Sequence, residues 1–286
     1  MTTENKKIKV GTVALIGRPN VGKSTLVNNL VGQKVAITSP KPQTTQFPIF
    51  AVYDDDATQI VIVDTPGIFA KALGKKLKEI NQEAQNVLKS QVDVVLYIID
   101  HTRPRGVEEN RVLGILRKLN QPKILVINKI DKKEPDFRAQ YRFLEDEVDS
   151  VIEVSAIKGS NLNNLVKEII TYLPEGEKVV DRETMAVPSL NMSSGLYIEE
   201  IIREKAFLTL RREVPYQIRI VLDSLVEKKD LTVIKARIIT TERYKKMIIG
   251  AGGQKIKQIG TMARKELEVA TGRKIFLELT VEAEKI

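Results

Sequence analysis

The sequence predicts two domains of unlike architecture: a doubly wound α/β domain with a mostly parallel sheet over residues 8–174, and a smaller α+β domain over residues 195–286. Three observations predict this. In the first part, short apolar, β-branched runs alternate with helical stretches, as parallel strands covered on both faces require. The stretch "PEGEKVVDRETMAVPSLNMSSG" then lacks sustained periodicity and carries two prolines and two glycines, so residues 175–194 read as a linker. After it the order becomes helix, strand, strand, helix, helix, strand. A chain of 286 residues suits two domains of roughly 100–200 residues each.

Strands are expected at residues 10–16, 59–64, 92–99, 123–127 and 151–154, where apolar runs are too short for buried helices. Helices are expected between them at 23–30, 74–89, 108–119, 137–147 and 162–173. Residues 47–53 and 59–64 flank "DDDAT", which reads as a hairpin adding an antiparallel edge strand; its three aspartates form a solvated turn rather than a metal site. In the second domain "LYIEEIIREKAFLTLRR" reads as an amphipathic helix with Ile198, Ile201, Ile202, Lys205 and Leu208 on one face. Strands at 215–225 and 231–240 follow, separated by "EKKD". Next come a short helix, a glycine-dense turn, a helix ending near residue 270, and a last strand at 274–281.

The net charge of +9 favours a polyanionic partner. The absence of cysteine excludes disulfides and thiolate metal sites and is compatible with a reducing cytosol. The single histidine, His101, excludes a histidine-rich metal site; at a strand end it is expected to be exposed. No apolar run approaches the roughly 18–20 residues of a membrane span, and the charged N-terminus is followed by no apolar signal-peptide core.

"GRPNVGKS" (Gly17, Arg18, Pro19, Asn20, Val21, Gly22, Lys23, Ser24, with Thr25 next) fits G-x-x-x-x-G-K-[ST] between a predicted strand and helix, the context that a phosphate loop needs. Backbone N–H groups at the helix start would wrap a β-phosphate. Lys23 would reach the β- and γ-phosphates, and the Ser24 hydroxyl would hold Mg²⁺. "VIVDTPG" ends a strand at Asp64, placed to hold Mg²⁺ through water; Thr65 and Pro66 then lead to Gly67, whose N–H can meet a γ-phosphate, and to Ile68. "VINKID" supplies Asn128, Lys129, Ile130 and Asp131. A carboxylate here can accept from both N1–H and the N2 amine of guanine, a donor pair that adenine lacks. "VSAIKG" supplies Ser155, Ala156 and Ile157, with the Ala156 N–H expected to meet guanine O6. GTP, not ATP, is the expected nucleotide.

These four boxes, in this order, resemble the translation-factor-related GTPases over roughly residues 8–174. The resemblance implies a P-loop GTPase fold and a switch loop, "ITSPKPQTTQF", in which Thr45, or its neighbour Thr44, is the second Mg²⁺ ligand. It also makes Asn20 similar to the asparagine that holds a catalytic potassium ion in related GTPases, so K⁺ joins Mg²⁺ as an implied cofactor. Lys23, Asn20, Thr45 and Gly67 are then the catalytic group. Ile68 stands where Ras-like GTPases place a glutamine that orients water, so slow intrinsic hydrolysis of GTP to GDP and phosphate is expected.

A second glycine stretch, "IIGAGGQKIKQIG", has no Lys-Ser or Lys-Thr after its glycines, and Lys255 stands where G-x-G-x-x-G needs its third glycine. It does match I-G-x-x-G-x-x-I-K through Ile249, Gly250, Gly253, Ile256 and Lys257. With the element order around it, this resembles a KH domain of the bacterial type II arrangement. That likeness implies an RNA-binding turn of Gly250, Ala251, Gly252 and Gly253 flanked by Lys245, Lys246, Ile249, Lys255 and Lys257. Charge agrees: residues 235–274 carry eleven Lys and Arg against three Glu, the footprint of a nucleic-acid partner.

A GTPase box set followed by a type II KH domain, joined through "EEIIREKA", resembles a family of bacterial ribosome-assembly GTPases. The likeness implies a cytoplasmic, monomeric protein that binds small-subunit ribosomal RNA near its 3′ end in a GTP-dependent manner and assists assembly of the small subunit. It leaves open a peripheral association with the inner face of the cell membrane. Gln46, Gly195 and Leu196 depart from that family's usual residues, and little of its C-terminal tail follows the last strand. The rival reading is an RNA-binding chaperone whose nucleotide site is structural and scarcely turns over. A tRNA-modification GTPase is a weaker third, since it would leave the KH segment without a place.

Overall fold

The structure is a computed structural model and describes residues 7–36, 38, 49–64, 92–179, 181 and 193–284. The chain separates into two compact units, residues 1–36 with 45–191, and residues 37–44 with 192–286. The helix expected at 74–89, the switch-loop residues Thr44, Thr45 and Gln46, and Thr65, Pro66, Gly67 and Ile68 lie outside the described residues.

In the first unit the elements are β1 (Ile8–Ile16), α1 (Lys23–Val31), β2 (Ile49–Asp54), β3 (Thr58–Asp64), β4 (Val94–Asp100), α2 (Val107–Leu116), β5 (Lys123–Asn128), β6 (Ser150–Val154), α3 (Leu162–Tyr172) and β7 (Glu175–Gly176). The sheet order is β2-β3-β1-β4-β5-β6. The β3-β1, β1-β4, β4-β5 and β5-β6 pairs are parallel, and the β2-β3 hairpin is the antiparallel edge. Its aspartate turn is held locally: the Ala57 N–H donates to Asp55 Oδ1 at 2.9 Å, and the Tyr53 hydroxyl donates to Asp55 Oδ2.

The central strands become continuous apolar runs toward their carboxyl ends, where both faces are covered, after polar residues earlier on, Lys9 and Thr12 in β1, Thr58 and Gln59 in β3 and Lys123 in β5. Val13, Ala14, Leu15 and Ile16 of β1 and Val94 through Ile99 of β4 are fully buried. Where the strands stop stand Asp64, Asp100, Asn128 and Ser155, all buried. Chain order reverses about β1, so these ends converge on one crevice, where doubly wound sheets bind ligands.

Three expectations are corrected here. Residues 137–147 do not form an α-helix; only Arg138–Leu144 winds, as a 3-10 turn, with Tyr141 and Leu144 as its buried contacts. The linker contributes a strand, because β7 pairs antiparallel with β1 at Ile8 and Lys9. His101 is fully buried rather than exposed: Nε2 lies 3.1 Å from the Lys129 carbonyl oxygen and Nδ1 lies 3.2 Å from Asp136.

The second unit contains α4 (Ser194–Thr209), β8 (Arg219–Glu227), β9 (Thr232–Thr240), α5 (Glu242–Ile249), α6 (Gln254–Thr271) and β10 (Ile275–Ala283). The strand order is β10-β9-β8, with β9 parallel to β10 and antiparallel to β8. Alternation sends Ile220, Ile234, Ala236 and Ile238 to the covered side, where they join Ile201, Phe207, Ile248, Ile259, Ala263 and Leu267 in the core.

A 3-10 turn, Val214–Gln217, replaces the expected start of β8 and sets Tyr216 edge-on against Phe207. The amphipathic reading of α4 also needs correction. Leu208 is exposed, whereas Glu200, Arg203, Glu204 and Lys205 are buried. They are tolerable there because they are paired, Arg203 with Glu200 and Lys205 with Glu204 and Glu266. Burial works against the charge on Lys205, but its hydrogen bonds to Glu266 and Glu204 prevail and raise its pKa.

Candidate nucleotide and RNA sites

The phosphate-loop motif follows β1 directly and opens α1. Gly22 ends it at φ 105°, and a Cβ there would fall 2.3 Å from Asn128 Nδ2, so glycine is required on both counts. No side chain caps α1 at Gly22, which leaves the helix start to another acceptor.

Six consecutive carbonyls of the loop are occupied. Lys23 Nζ donates to the Gly17 and Arg18 carbonyls, both at 3.0 Å. Arg103 Nη1 donates to Pro19 O at 3.0 Å, Lys129 Nζ to Asn20 O at 2.9 Å, Asn128 Nδ2 to Val21 O at 2.8 Å, and the Leu26 N–H to Gly22 O at 2.9 Å. A trans peptide points its N–H opposite to its C=O. Fixing the carbonyls of residues 19–22 therefore turns the N–H groups of Asn20, Val21, Gly22 and Lys23 the other way, into a nest suited to an anion.

The charges inside agree. Burial pulls the Lys23 ammonium down despite Asp64 and Glu109, and burial pushes the Asp64 carboxyl up despite Lys23 and the Ser24 hydroxyl. An anion beside the lysine and a cation beside the aspartate would offset that burial. The Ser24 hydroxyl donates to Asp64 Oδ2 at 2.6 Å, and Asp64 Oδ1 is buried with no hydrogen-bond partner among the described residues. A hydroxyl beside a carboxylate with an unused oxygen is an oxygen donor set that fits Mg²⁺.

Around the base-reading motif, Asn128 Oδ1 accepts from the Lys129 and Ala156 N–H groups at 2.7 and 2.9 Å, so the Ala156 amide expected for guanine O6 is turned to Asn128 here. Asp131 is exposed and accepts from the Ser155 hydroxyl at 2.5 Å, while Ile157 is exposed beside it. Arg18, expected among the nucleotide contacts, turns its side chain away. Its Nε lies 2.6 Å from buried Glu109, and Glu109 also accepts from the Tyr97 and Tyr141 hydroxyls. Asp100, Arg103 and Glu109 belong to no phosphate-binding motif, and sequence reading missed them; the polar run "DHTRPRG" at the end of β4 was the trace of the first two.

In the second unit α5 ends at Gly250, with φ 75° and ψ 173°, and a 3-10 turn, Ala251–Gly253, leads into α6. A Cβ at Gly250 would lie 3.1 Å from the Lys255 backbone nitrogen. Lys255 Nζ donates to Met247 O at 3.1 Å, so this lysine, expected to face phosphate, closes the end of α5 instead. Lys246 and Lys257 remain exposed around the turn, Lys245 and Ile249 are half-buried, and the turn itself presents Ala251 and Gly252 to solvent. The start of α6 at Gly253 carries no side-chain cap.

Residues 12–129 match the family described as a 50S ribosome-binding GTPase, and residues 213–285 match the KH domain. GTPase Era of Halothermothrix orenii is 40% identical over 281 residues, covering 97% of this chain and 94% of that protein. The chain belongs to the Era family of GTPases. GTPase Era of Aquifex aeolicus is likewise 40% identical, over 96% of this chain and 93% of its own. A crystal structure of Era in complex with MgGDPNP and nucleotides 1506–1542 of 16S ribosomal RNA superposes with a TM-score of 0.88 at 39% identity, covering 97% of this chain and 94% of that one. A variant of Aquifex aeolicus Era bound to GDP and AlF4⁻ gives a TM-score of 0.86 at 39% identity, over 97% of this chain and 95% of that one. The Era fold of a P-loop GTPase unit followed by a KH unit is thus the architecture described above.

Proposed function

We propose that the chain is a GTP-hydrolysing switch that binds small-subunit ribosomal RNA near its 3′ end and assists assembly of the small ribosomal subunit. Residues 8–174 form the nucleotide domain, 175–194 a linker and 195–286 the RNA domain of a cytoplasmic monomer. The observation that carries this is the pairing, in one member of the Era family, of an amide nest over Lys23 with an uncapped glycine turn among exposed lysines. The Era complex with MgGDPNP and 16S ribosomal RNA supports both halves.

In this reading the N–H groups of Asn20, Val21, Gly22 and Lys23 wrap the β-phosphate and the Lys23 ammonium meets the β- and γ-phosphates. Asp131 takes the guanine edge, with Asn128 and Lys129 holding the strand end and Ser155, Ala156 and Ile157 walling the base. Ser24 and, through water, Asp64 would hold Mg²⁺, which supplies charge neutralisation between the β- and γ-phosphates. Thr45, or Thr44, would complete that set from the switch loop, and Gly67 would sense the γ-phosphate. Asn20 is exposed at φ 63° within the loop and is suited to hold K⁺ in place of an arginine finger. In the second unit Gly250 through Gly253 let an RNA backbone approach, with Lys246 and Lys257 as cationic flanks.

Multiple-turnover phosphate release from GTP and ATP, in sodium and potassium buffers, with and without a 16S RNA 3′ fragment, tests the reading. Turnover confined to GTP and raised by potassium is expected. A single turnover or none, with RNA binding intact, would favour the chaperone reading.

A further inference from the structure

Two Arg-Pro dipeptides face each other across the crevice: Arg18-Pro19 in the phosphate loop and Arg103-Pro104 after β4. Each arginine donates to the carbonyl of the other pair's proline. Arg18 Nη1 reaches Pro104 O at 3.0 Å, and Arg103 Nη1 reaches Pro19 O at 3.0 Å. We infer that this reciprocal clasp positions the phosphate loop and that Arg103 is a positioning residue for nucleotide binding.

The two arms differ in burial. Arg18 is buried and anchored by Glu109, with the Tyr141 hydroxyl 3.3 Å from its Nη2. Arg103 is half-buried, and its own backbone is held in a tight turn, N–H to Asp100 O at 3.1 Å, while Thr102 donates twice to Asp100 Oδ1. What Arg103 does to the loop follows from where it bonds. Pro19 has no N–H, so its carbonyl is the one handle by which the backbone can be held at that point. The Pro19 carbonyl and the Asn20 carbonyl, the latter held by Lys129, bracket Asn20 on both sides. Asn20 sits at φ 63°, a left-handed conformation that asparagine adopts at lower cost than most L-residues but that still competes with the right-handed and extended regions, so the two held carbonyls select it. Release of either carbonyl lets that residue relax and swings the following amides out of the nest.

The inference rests on the nucleotide reading of the loop, and the test separates the two. The full chain is compared with Arg103→Met, which keeps the packing of the stem but donates nothing, and with Arg103→Lys, which restores a cationic donor. Dissociation rates of GDP and inosine diphosphate are measured for each. Loss of one charge-assisted hydrogen bond is expected to speed GDP release about tenfold in Arg103→Met. The preference for GDP over the inosine nucleotide should stay that of the parent, and Arg103→Lys should recover most of the slow release. An unchanged GDP off-rate in Arg103→Met would overturn the inference, as would a collapse of base preference, which would mean a generally softened site. Absence of GDP binding by the parent chain would instead overturn the nucleotide reading itself.

Discussion

Lys129 Nζ lies 2.6 Å from Asp100 Oδ2 and 2.9 Å from the carbonyl oxygen of Asn20, so one ammonium joins the end of β4 to the phosphate loop from the segment after β5 that also carries Asp131. Base recognition and the phosphate cradle thereby share a part. Lys129→Met removes both bonds and leaves Asp100 buried without its cation. GDP affinity should fall by about tenfold or more, measured by equilibrium titration, because a charged hydrogen bond and its buried partner are lost together.

Asp100 also sets an acid limit. Burial would raise its carboxyl, but the Lys129 and Thr102 donors outweigh burial and hold it below the ordinary 3.8. A carboxylate lowered by folding stabilises fully above its unfolded pKa, and that contribution is lost as pH falls through the folded value. Urea unfolding from pH 5 downward should therefore show stability declining below about pH 4 in the parent. Asp100→Asn should be less stable at pH 5 and decline less steeply over that interval.

The base reading predicts a change of nucleotide. Asp131→Asn replaces two acceptor oxygens with one acceptor and one donor, which suits a base bearing a carbonyl at C2. Xanthosine diphosphate should gain on GDP by about 10²-fold or more in competition binding. Unchanged preference would mean that Asp131 does not meet the base edge.

The Arg18–Glu109 pair predicts a stability change. Glu109→Leu leaves a buried guanidinium without its carboxylate and should cost about 3–5 kcal/mol in denaturant unfolding. The double variant Arg18→Met with Glu109→Leu should recover much of that loss.

In the second unit, a Cβ added at Gly253 meets nothing within 4 Å, and aspartate tolerates the left-handed backbone found there at φ 76°. Gly253→Asp should fold, keep GDP affinity and lose RNA affinity, because a carboxylate then stands beside phosphate. The parent's RNA affinity should fall with salt at a log–log slope near −0.7 for each phosphate contacted, measured by anisotropy.

The parts legible in the sequence are those whose chemistry is local. "GRPNVGKS" needs only a strand before it and a helix after it, so its place at the end of β1 followed from the residues themselves. The parallel strands and the hairpin turn at Asp55 were equally local in their signals. What escaped depends on partners distant along the chain. Arg18 was grouped with the nucleotide contacts because its neighbours are; its carboxylate stands 91 positions later at Glu109, which no spacing rule connects to a phosphate loop. Arg103 is hidden for the same reason. His101 read as solvent-facing, and Glu200, Arg203 and Glu204 fell outside the face assigned to α4, because burial of a polar or charged group depends on its partner; Lys205 was placed on that face, but its partner Glu266 belongs to another helix. The α-helix expected at 137–147 is instead a 3-10 turn over Arg138–Leu144, whose buried Tyr141 meets Arg18 from far along the chain.

One titration bears on the central claim most directly. An RNA spanning the 3′ end of small-subunit ribosomal RNA is labelled and titrated with the chain saturated by a non-hydrolysable GTP analogue, and again with GDP. Tighter binding in the GTP-analogue state is expected. Equal affinity in both states, or no binding in either, would contradict a guanine-nucleotide switch that governs an RNA grip.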